Sequence, residues 1–197
     1  MSVPDTIQPH DHFPEALAHI LRHEGGYVDH PSDPGGASKY GMSLRTLRAQ
    51  GDADLDGVLD WDLDKDGDID AADIRALTPE HAAAYYRKRW WDRYGLGLIR
   101  SAPVAVKIMD MAVNIGARRA VLIAQQAACG CGRPVTLDGV LGPVTAAALD
   151  ACPVDDVRHR VCRLQRAFYR DLIEDRPRLA VFERGWMTRA AFWPEED

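Results

Sequence analysis

Pro103-Val104-Ala105-Val106-Lys107-Ile108-Met109-Asp110-Met111-Ala112-Val113-Asn114-Ile115-Gly116 decides the fold class. Proline suits the first turn of a helix, where its missing N–H costs nothing. Val104, Ile108, Met111, Ala112 and Ile115 then recur at helical spacing, and Gly116 supplies a stop. A helix this apolar belongs at the centre of a core. Similar periods predict helices over 14–23, 118–128, 143–151 and 154–174. In the first of these, Leu17, Ile20, Leu21 and Glu24 share one face, and in the last Val157, Val161, Leu164, Phe168 and Leu172 do. Ser43 is placed to cap a short helix carrying Leu44 and Leu47, and Thr78-Pro79-Glu80 is a strong helix start for a segment running to about Trp91. Phe182, Trp186, Arg189 and Trp193 mark a last short helix. No sustained period-two alternation occurs, so the expected class is mainly α, with at most a small β-hairpin near 26–42. Gly95, Gly97 and Pro103 place a boundary between regions 11–97 and 101–193, and the apolar helix just beyond it implies a common core.

The 197 residues suffice for a real core, and 46% hydrophobic with 27% charged residues is ordinary for a globular chain. No apolar run approaches the roughly 20 residues that span a bilayer, so stable membrane insertion is not expected. Met1-Ser2-Val3-Pro4-Asp5 lacks the basic and apolar regions of a secretory signal. Residues 52–73 hold ten Asp and one Lys, a net charge of −9 against −6 for the whole chain, which leaves the remainder at +3. That remainder can suit a polyanionic partner such as a cell wall, but for a value this small an ordinary mixed surface is the favoured reading. No basic cluster with interleaved aromatics points to nucleic acid. Cys129, Cys131, Cys152 and Cys162 do not have zinc-finger spacing. Reduced, buried thiols are the expectation, with a disulfide from the 129/131 loop to 152 or 162 left open after export.

Glu24 closes the first predicted helix and precedes Gly25-Gly26-Tyr27. On an apolar face a carboxyl is desolvated, which disfavours its charged form. An open segment follows, Asp33-Pro34-Gly35-Gly36-Ala37-Ser38-Lys39-Tyr40-Gly41. Glycoside hydrolysis needs a protonated acid for the leaving oxygen and a second group for water or the cation. Glu24 fits the first role. Asp33 fits the second, with Ser38 orienting water and Tyr27 and Tyr40 against sugar. From spacing alone, Glu24 reads equally as an exposed or Arg-paired helix-end residue, and Asp-Pro-Gly-Gly as a turn.

Asp62-Leu63-Asp64-Lys65-Asp66-Gly67-Asp68-Ile69-Asp70-Ala71-Ala72-Asp73 fits the EF-hand loop template. The side chains of Asp62, Asp64 and Asp66, the carbonyl of Asp68, Asp70 and finally Asp73 are the expected Ca²⁺ ligands, with Gly67 at the sharp turn. Asp rather than Glu at the twelfth position shortens the reach and favours weaker affinity. Asp52, Asp54, Asp56, Val58 and Asp60 repeat the start of the template, but Leu63 stands at its twelfth position, so this second site is weaker. The competing reading is a solvated acidic insertion. Calcium is expected to be structural or regulatory.

His23-Glu24-Gly25-Gly26-Tyr27-Val28, with 33–42, Tyr86-Arg87, Trp90-Trp91-Asp92 and Asp110 to Gly116, resembles the glycoside hydrolase family 108 lysozymes. Asp138-Gly139-Val140-Leu141-Gly142-Pro143-Val144-Thr145 and Phe182 to Trp186 resemble the C-terminal peptidoglycan-binding region of that family. The resemblance implies a lysozyme-like α fold and an endolysin-type N-acetylmuramidase. Its substrate would be the β-1,4 bond between N-acetylmuramic acid and N-acetylglucosamine. It also implies that Glu24 is the catalytic acid, with Asn114 and Tyr40 holding sugar. Where the family often has Asn-Asp, this chain has Asp29-His30, so the second carboxylate is Asp33 or Asp29; Ser38 replaces a Thr and keeps the hydroxyl. A monomer acting on the wall or in the periplasm is expected, released through a pore or by dedicated export. A non-catalytic wall binder and a lytic transglycosylase are the alternative readings.

Overall fold

A computed structural model describes residues 10–23, 26–29, 35–53, 55 and 57–195. The fold is mainly α. Helix α1 spans Phe13–His23, and strands β1 (Ser38–Lys39) and β2 (Met42–Ser43) form a small antiparallel hairpin. Helices α2 (Leu44–Arg48), α3 (Ala71–Ala76) and α4 (Pro79–Tyr86) follow. A π-helical stretch Arg87–Asp92 continues α4, and a 3₁₀ turn covers Leu96–Leu98. Then come α5 (Ala102–Ile115), α6 (Ala117–Gly130), α7 (Pro143–Asp150), α8 (Val154–Asp175), a 3₁₀ segment Pro177–Phe182 and α9 (Glu183–Ala191). The chain divides into two compact units. Among the described residues, one is formed by 10–16 together with 89–195, the other by those within Leu17–Lys88.

In the unit that begins again at Arg89, every residue of α5 from Pro103 to Ala112 is buried. That includes Lys107 and Asp110, so this stretch of α5 is enclosed on all sides and its charges are met from within. Lys107 Nζ donates to the Arg189 carbonyl at 2.9 Å, and the Arg189 guanidinium meets Asp110 Oδ1 at 2.9 and 3.0 Å. Burial pushes the Lys107 amine below its ordinary value, a shift the Asp110 charge opposes. Gly116 ends α5 with φ +86°, a conformation that favours glycine, and the next residue already begins α6.

The sequence places Leu164, Phe168 and Leu172 on the inner face of α8, but these are half-buried. The deepest positions besides Val157 and Val161 are Gln165 and Tyr169. These polar groups bond to one another, although Gln165 Oε1 has no partner among the described residues. Gln165 Nε2 donates to Tyr169 Oη at 3.1 Å, and that hydroxyl donates to Asn114 Oδ1 at 2.5 Å. In α1 the buried face is likewise rotated: Phe13, Ala16, His19 and Ile20 are buried, while Leu17 and Leu21 are half-buried.

The Leu17–Lys88 unit packs Met42, Leu47, Ile69, Ile74, Leu77, Ala82, Tyr85 and Tyr86. Capping chemistry sets its helix starts. Ser43 Oγ accepts from Thr46 N, and at α4 Thr78 Oγ1 accepts from His81 N while His81 Nδ1 accepts from Thr78 N. The acidic segment is irregular yet anchored. Arg48 Nε donates to the Ile69 carbonyl, and the Trp61 ring meets Tyr85 edge-on at 5.9 Å.

Candidate active site

Glu24 and Asp33 lie outside the described residues. Their immediate frame does not. Val28 pairs with Ser38 through two backbone hydrogen bonds of 2.8 Å, which brings the strand carrying Tyr27 and Asp29 alongside β1. Tyr27 Oη donates to Asp29 Oδ2 at 2.9 Å, and the Arg75 guanidinium stacks over the Tyr27 ring at 4.9 Å and approaches Asp29 at 3.9 Å. Burial, then the bond to Asp29, pushes the Tyr27 phenol above its ordinary value, so it remains a donor at neutral pH. Asp29, the reserve second carboxylate, is therefore engaged by an aromatic hydroxyl and a cation. Arg75 itself carries no local sequence signal; only the fold brings it across 46 residues.

Tyr40 and Gly41 form the two-residue tip of the hairpin, with Lys39 paired to Met42. Both have positive φ, +53° and +72°, as a type I′ turn requires. For a bulky aromatic that conformation is strained. It is held from both sides. Tyr86 Oη donates to the Tyr40 carbonyl at 3.1 Å, and Lys39 Nζ donates to the carbonyls of Arg75 and Leu77, both at 2.7 Å, at the end of α3. Ser38 is half-buried on β1. Tyr27, Ser38 and Tyr40 thus share the Leu17–Lys88 unit, in the frame that flanks Glu24 and Asp33 in sequence. Asn114 belongs to the other unit, where Tyr169 fixes its carboxamide oxygen.

In the acidic segment two carboxylate triplets gather, Asp62 with Asp64 and Asp66, and Asp68 with Asp70 and Asp73. Within each triplet the oxygens lie within 4.8 Å of one another. Asp62 accepts from the N–H groups of Asp66 and Gly67, at 3.1 and 2.9 Å. Asp70 caps α3, and the buried Asp73 carboxylate takes Leu63 N at 2.6 Å and Asp70 N at 2.7 Å. Partial desolvation, then the Asp66 and Asp73 charges, raise Asp64 above its ordinary value; desolvation, then Asp66 and Asp70, do the same for Asp68. The preceding loop repeats the turn ten residues earlier. Gly57 N donates to Asp52 at 2.8 Å, Leu55 and Lys65 share φ +62°, and Gly57 and Gly67 have φ +89° and +99°. Asp54 and Asp56 lie outside the described residues.

The Asp138–Thr145 segment is organised by a residue its sequence does not advertise. Gln125, buried in α6, donates to Asp138 Oδ1 at 2.7 Å and to the Val140 carbonyl at 3.1 Å, and accepts from Gly139 N at 2.9 Å. The Gln125 bond and the Val140 N–H hold the Asp138 carboxyl below its ordinary value.

Residues 17–116 match the family described as Glycosyl hydrolase 108. The chain belongs to this family. Residues 119–191 of this family member match a Predicted Peptidoglycan domain, so helices α6 to α9 are a peptidoglycan module. Among solved structures the chain is similar to SagA of Brucella abortus, at 30% identity and a TM-score of 0.65, covering 91% of this chain and 89% of that one. No curated protein matches it. As a glycosyl hydrolase 108 member the protein is a glycoside hydrolase with peptidoglycan as its partner. Among the described residues no helix is long and apolar enough to cross a membrane.

Proposed function

We propose that the protein is an endolysin-type muramidase that hydrolyses the β-1,4 bond between N-acetylmuramic acid and N-acetylglucosamine. The observation that carries this is a glycosyl hydrolase 108 segment enclosing Glu24, followed directly by a peptidoglycan module. Glu24 protonates the glycosidic oxygen as the bond to the anomeric carbon breaks. Asp33, with Ser38, draws a proton from the attacking water and balances the developing cation. Tyr27, on the side of its ring away from Arg75, and Tyr40 offer ring faces to sugar, and Asn114 offers its amide N–H groups, its oxygen being taken by Tyr169. The enzyme reaches the wall or periplasm through a pore or a dedicated export route. Purified peptidoglycan should be cleared by the wild type and not by Glu24→Gln, with reducing rather than anhydro-muramyl ends seen by mass spectrometry. Equal clearing by both proteins would remove Glu24 from the mechanism, and anhydro ends would make the enzyme a lytic transglycosylase.

We also propose that residues 62–73 bind Ca²⁺, as structural support rather than as chemistry. The support is the EF-hand template together with a helix that starts where the template needs it: Asp70 is the N-cap of α3 and Asp73 its third residue. A cation among these carboxylates removes the repulsion that, after desolvation, helps to raise Asp64 and Asp68, and it binds the folded loop alone. The weaker second site comprises Asp52, Asp54, Asp56, the Val58 carbonyl and Asp60. Millimolar calcium should raise the melting temperature of the wild type by several degrees, EDTA should reverse this, and Asp62→Asn should show no rise. An unchanged melting temperature in the wild type would sink the proposal.

A further inference from the structure

A cavity of about 300 Å³ opens between α7 and the segment 98–100, with His10 at its side. Its walls are tied together. His10 N donates to the Gly97 carbonyl at 2.7 Å, and Arg100 N donates to Asp150 Oδ1 at 3.0 Å. His12 Nε2 lies 2.9 Å from the Arg100 carbonyl, which can only accept, so the ring donates there. One side of the cavity is apolar and made of small groups, among them Leu98, Ala146 and Ala147. The other carries opposite charges, Arg100 and Asp150. These charges do not neutralise each other. Among the described residues the Arg100 guanidinium has no partner, and the Asp150 carboxylate is met by the Arg100 N–H alone. An apolar lining with a few converging polar groups, at this size, is the pattern of a small-ligand site. The glycosyl hydrolase 108 segment supplies Leu98 and Arg100, and the peptidoglycan module supplies Ala146, Ala147 and Asp150, so neither completes the cavity alone.

We propose that this cavity holds a free amino-acid head, an ammonium and a carboxylate on one carbon, carried on a short apolar chain. The Arg100 guanidinium takes the carboxylate, since its paired N–H groups match two oxygens. Asp150 takes the ammonium with the oxygen that the Arg100 N–H leaves unused. The methylene groups of the chain lie on Leu98, Ala146 and Ala147. In peptidoglycan this combination belongs to the diaminopimelate residue of a stem peptide that is not cross-linked. A lysine in its place has no carboxylate at the end of its chain, and a terminal alanine has no ammonium. The cavity therefore reads the peptide, while the chemistry at Glu24 acts on the glycan. The assignment rests on the reading of the wall as substrate, and it adds which part of the wall the seam between hydrolase segment and module recognises.

The full-length protein is titrated with the synthetic tripeptide L-alanyl-γ-D-glutamyl-meso-diaminopimelate, and binding is followed by calorimetry and by amide shifts in NMR spectra. The expected result is saturable binding with shifts centred on 98–100 and 146–151. The same tripeptide with lysine in place of diaminopimelate should bind about tenfold or more weakly, and so should the original tripeptide to Arg100→Gln and to Asp150→Asn. Arg100 is exposed, and Asn at 150 keeps an acceptor for the Arg100 N–H, so neither change removes a contact of the fold. Ala147→Trp, at an exposed position, should block the cavity and abolish binding. No saturable binding by the wild type, equal affinity for the lysine peptide, or undiminished binding by Arg100→Gln would overturn the proposal. The wild-type titration needs no variant, so a substitution that fails to fold leaves it decisive. Binding is read without turnover. A wild type that clears the wall but ignores the tripeptide would remove this site and leave the muramidase reading; one that binds the tripeptide but leaves glycan intact would do the reverse.

Discussion

Tyr40 occupies a left-handed turn position that Asn adopts far more readily, followed by the glycine that completes the favoured Asn-Gly pair. Bulky residues are tolerated there only where the surroundings over-determine the backbone, as Tyr86 and Lys39 do here. The strain is consistent with a ring kept for contact with sugar. Tyr40→Asn should therefore raise stability by about 0.5–1 kcal/mol in denaturant unfolding and lower the rate of peptidoglycan clearing. A loss of stability would show that the ring serves the fold instead. The motif around Tyr40 was legible in sequence because its chemistry is local. The contacts made to it by Arg75 and Tyr86 were not, because nothing in a single segment announces a contact made across 36 to 46 residues. Asn114 shows the same divide: its place at the end of an apolar helix could be read, but its bond to Tyr169 could not.

At the scale of elements, α6 and the loop before α7 form one device. Gln125 lies among Ala124, Ala127 and Ala128 on a helix whose buried face is otherwise apolar, and its amide substitutes for the secondary structure the loop lacks. Gln125→Met keeps the volume and removes the bonds, so unfolding free energy should fall by about 1–3 kcal/mol. The Asp138 carboxyl gives this a pH signature. Its folded value lies below the unfolded one, so its stabilisation is complete above the ordinary carboxylate range. It is lost as pH falls through about 4 towards the folded value. The stability gap between wild type and Asp138→Asn should accordingly close on acidification, and a gap that widens would contradict the assignment. Helix starts at Ser43 and Thr78 and the stop at Gly116 followed from capping residues and were readable. The inward face of α8 was misplaced because apolar spacing cannot anticipate that Gln165 donates to Tyr169 inside, and Tyr169 to Asn114.

For the molecule as a whole, the family segment ends at residue 116 and the peptidoglycan module begins at 119, yet the compact unit containing α5 also contains α6 to α9. α5 packs on α6 more extensively than any other pair of elements packs, and its charges are answered from α9. A chain ending at Gly116 would bare that apolar face. It should aggregate or lack a cooperative melt by circular dichroism, and a soluble fragment with a sharp transition would refute this.

One glycine separates α5 from α6. Such a joint contains no slack. The last helix of the hydrolase segment and the first of the wall-binding module behave as the two arms of a crank. The packing of the two arms, rather than the permissive glycine, holds their angle, and Asn114 lies two residues from the elbow.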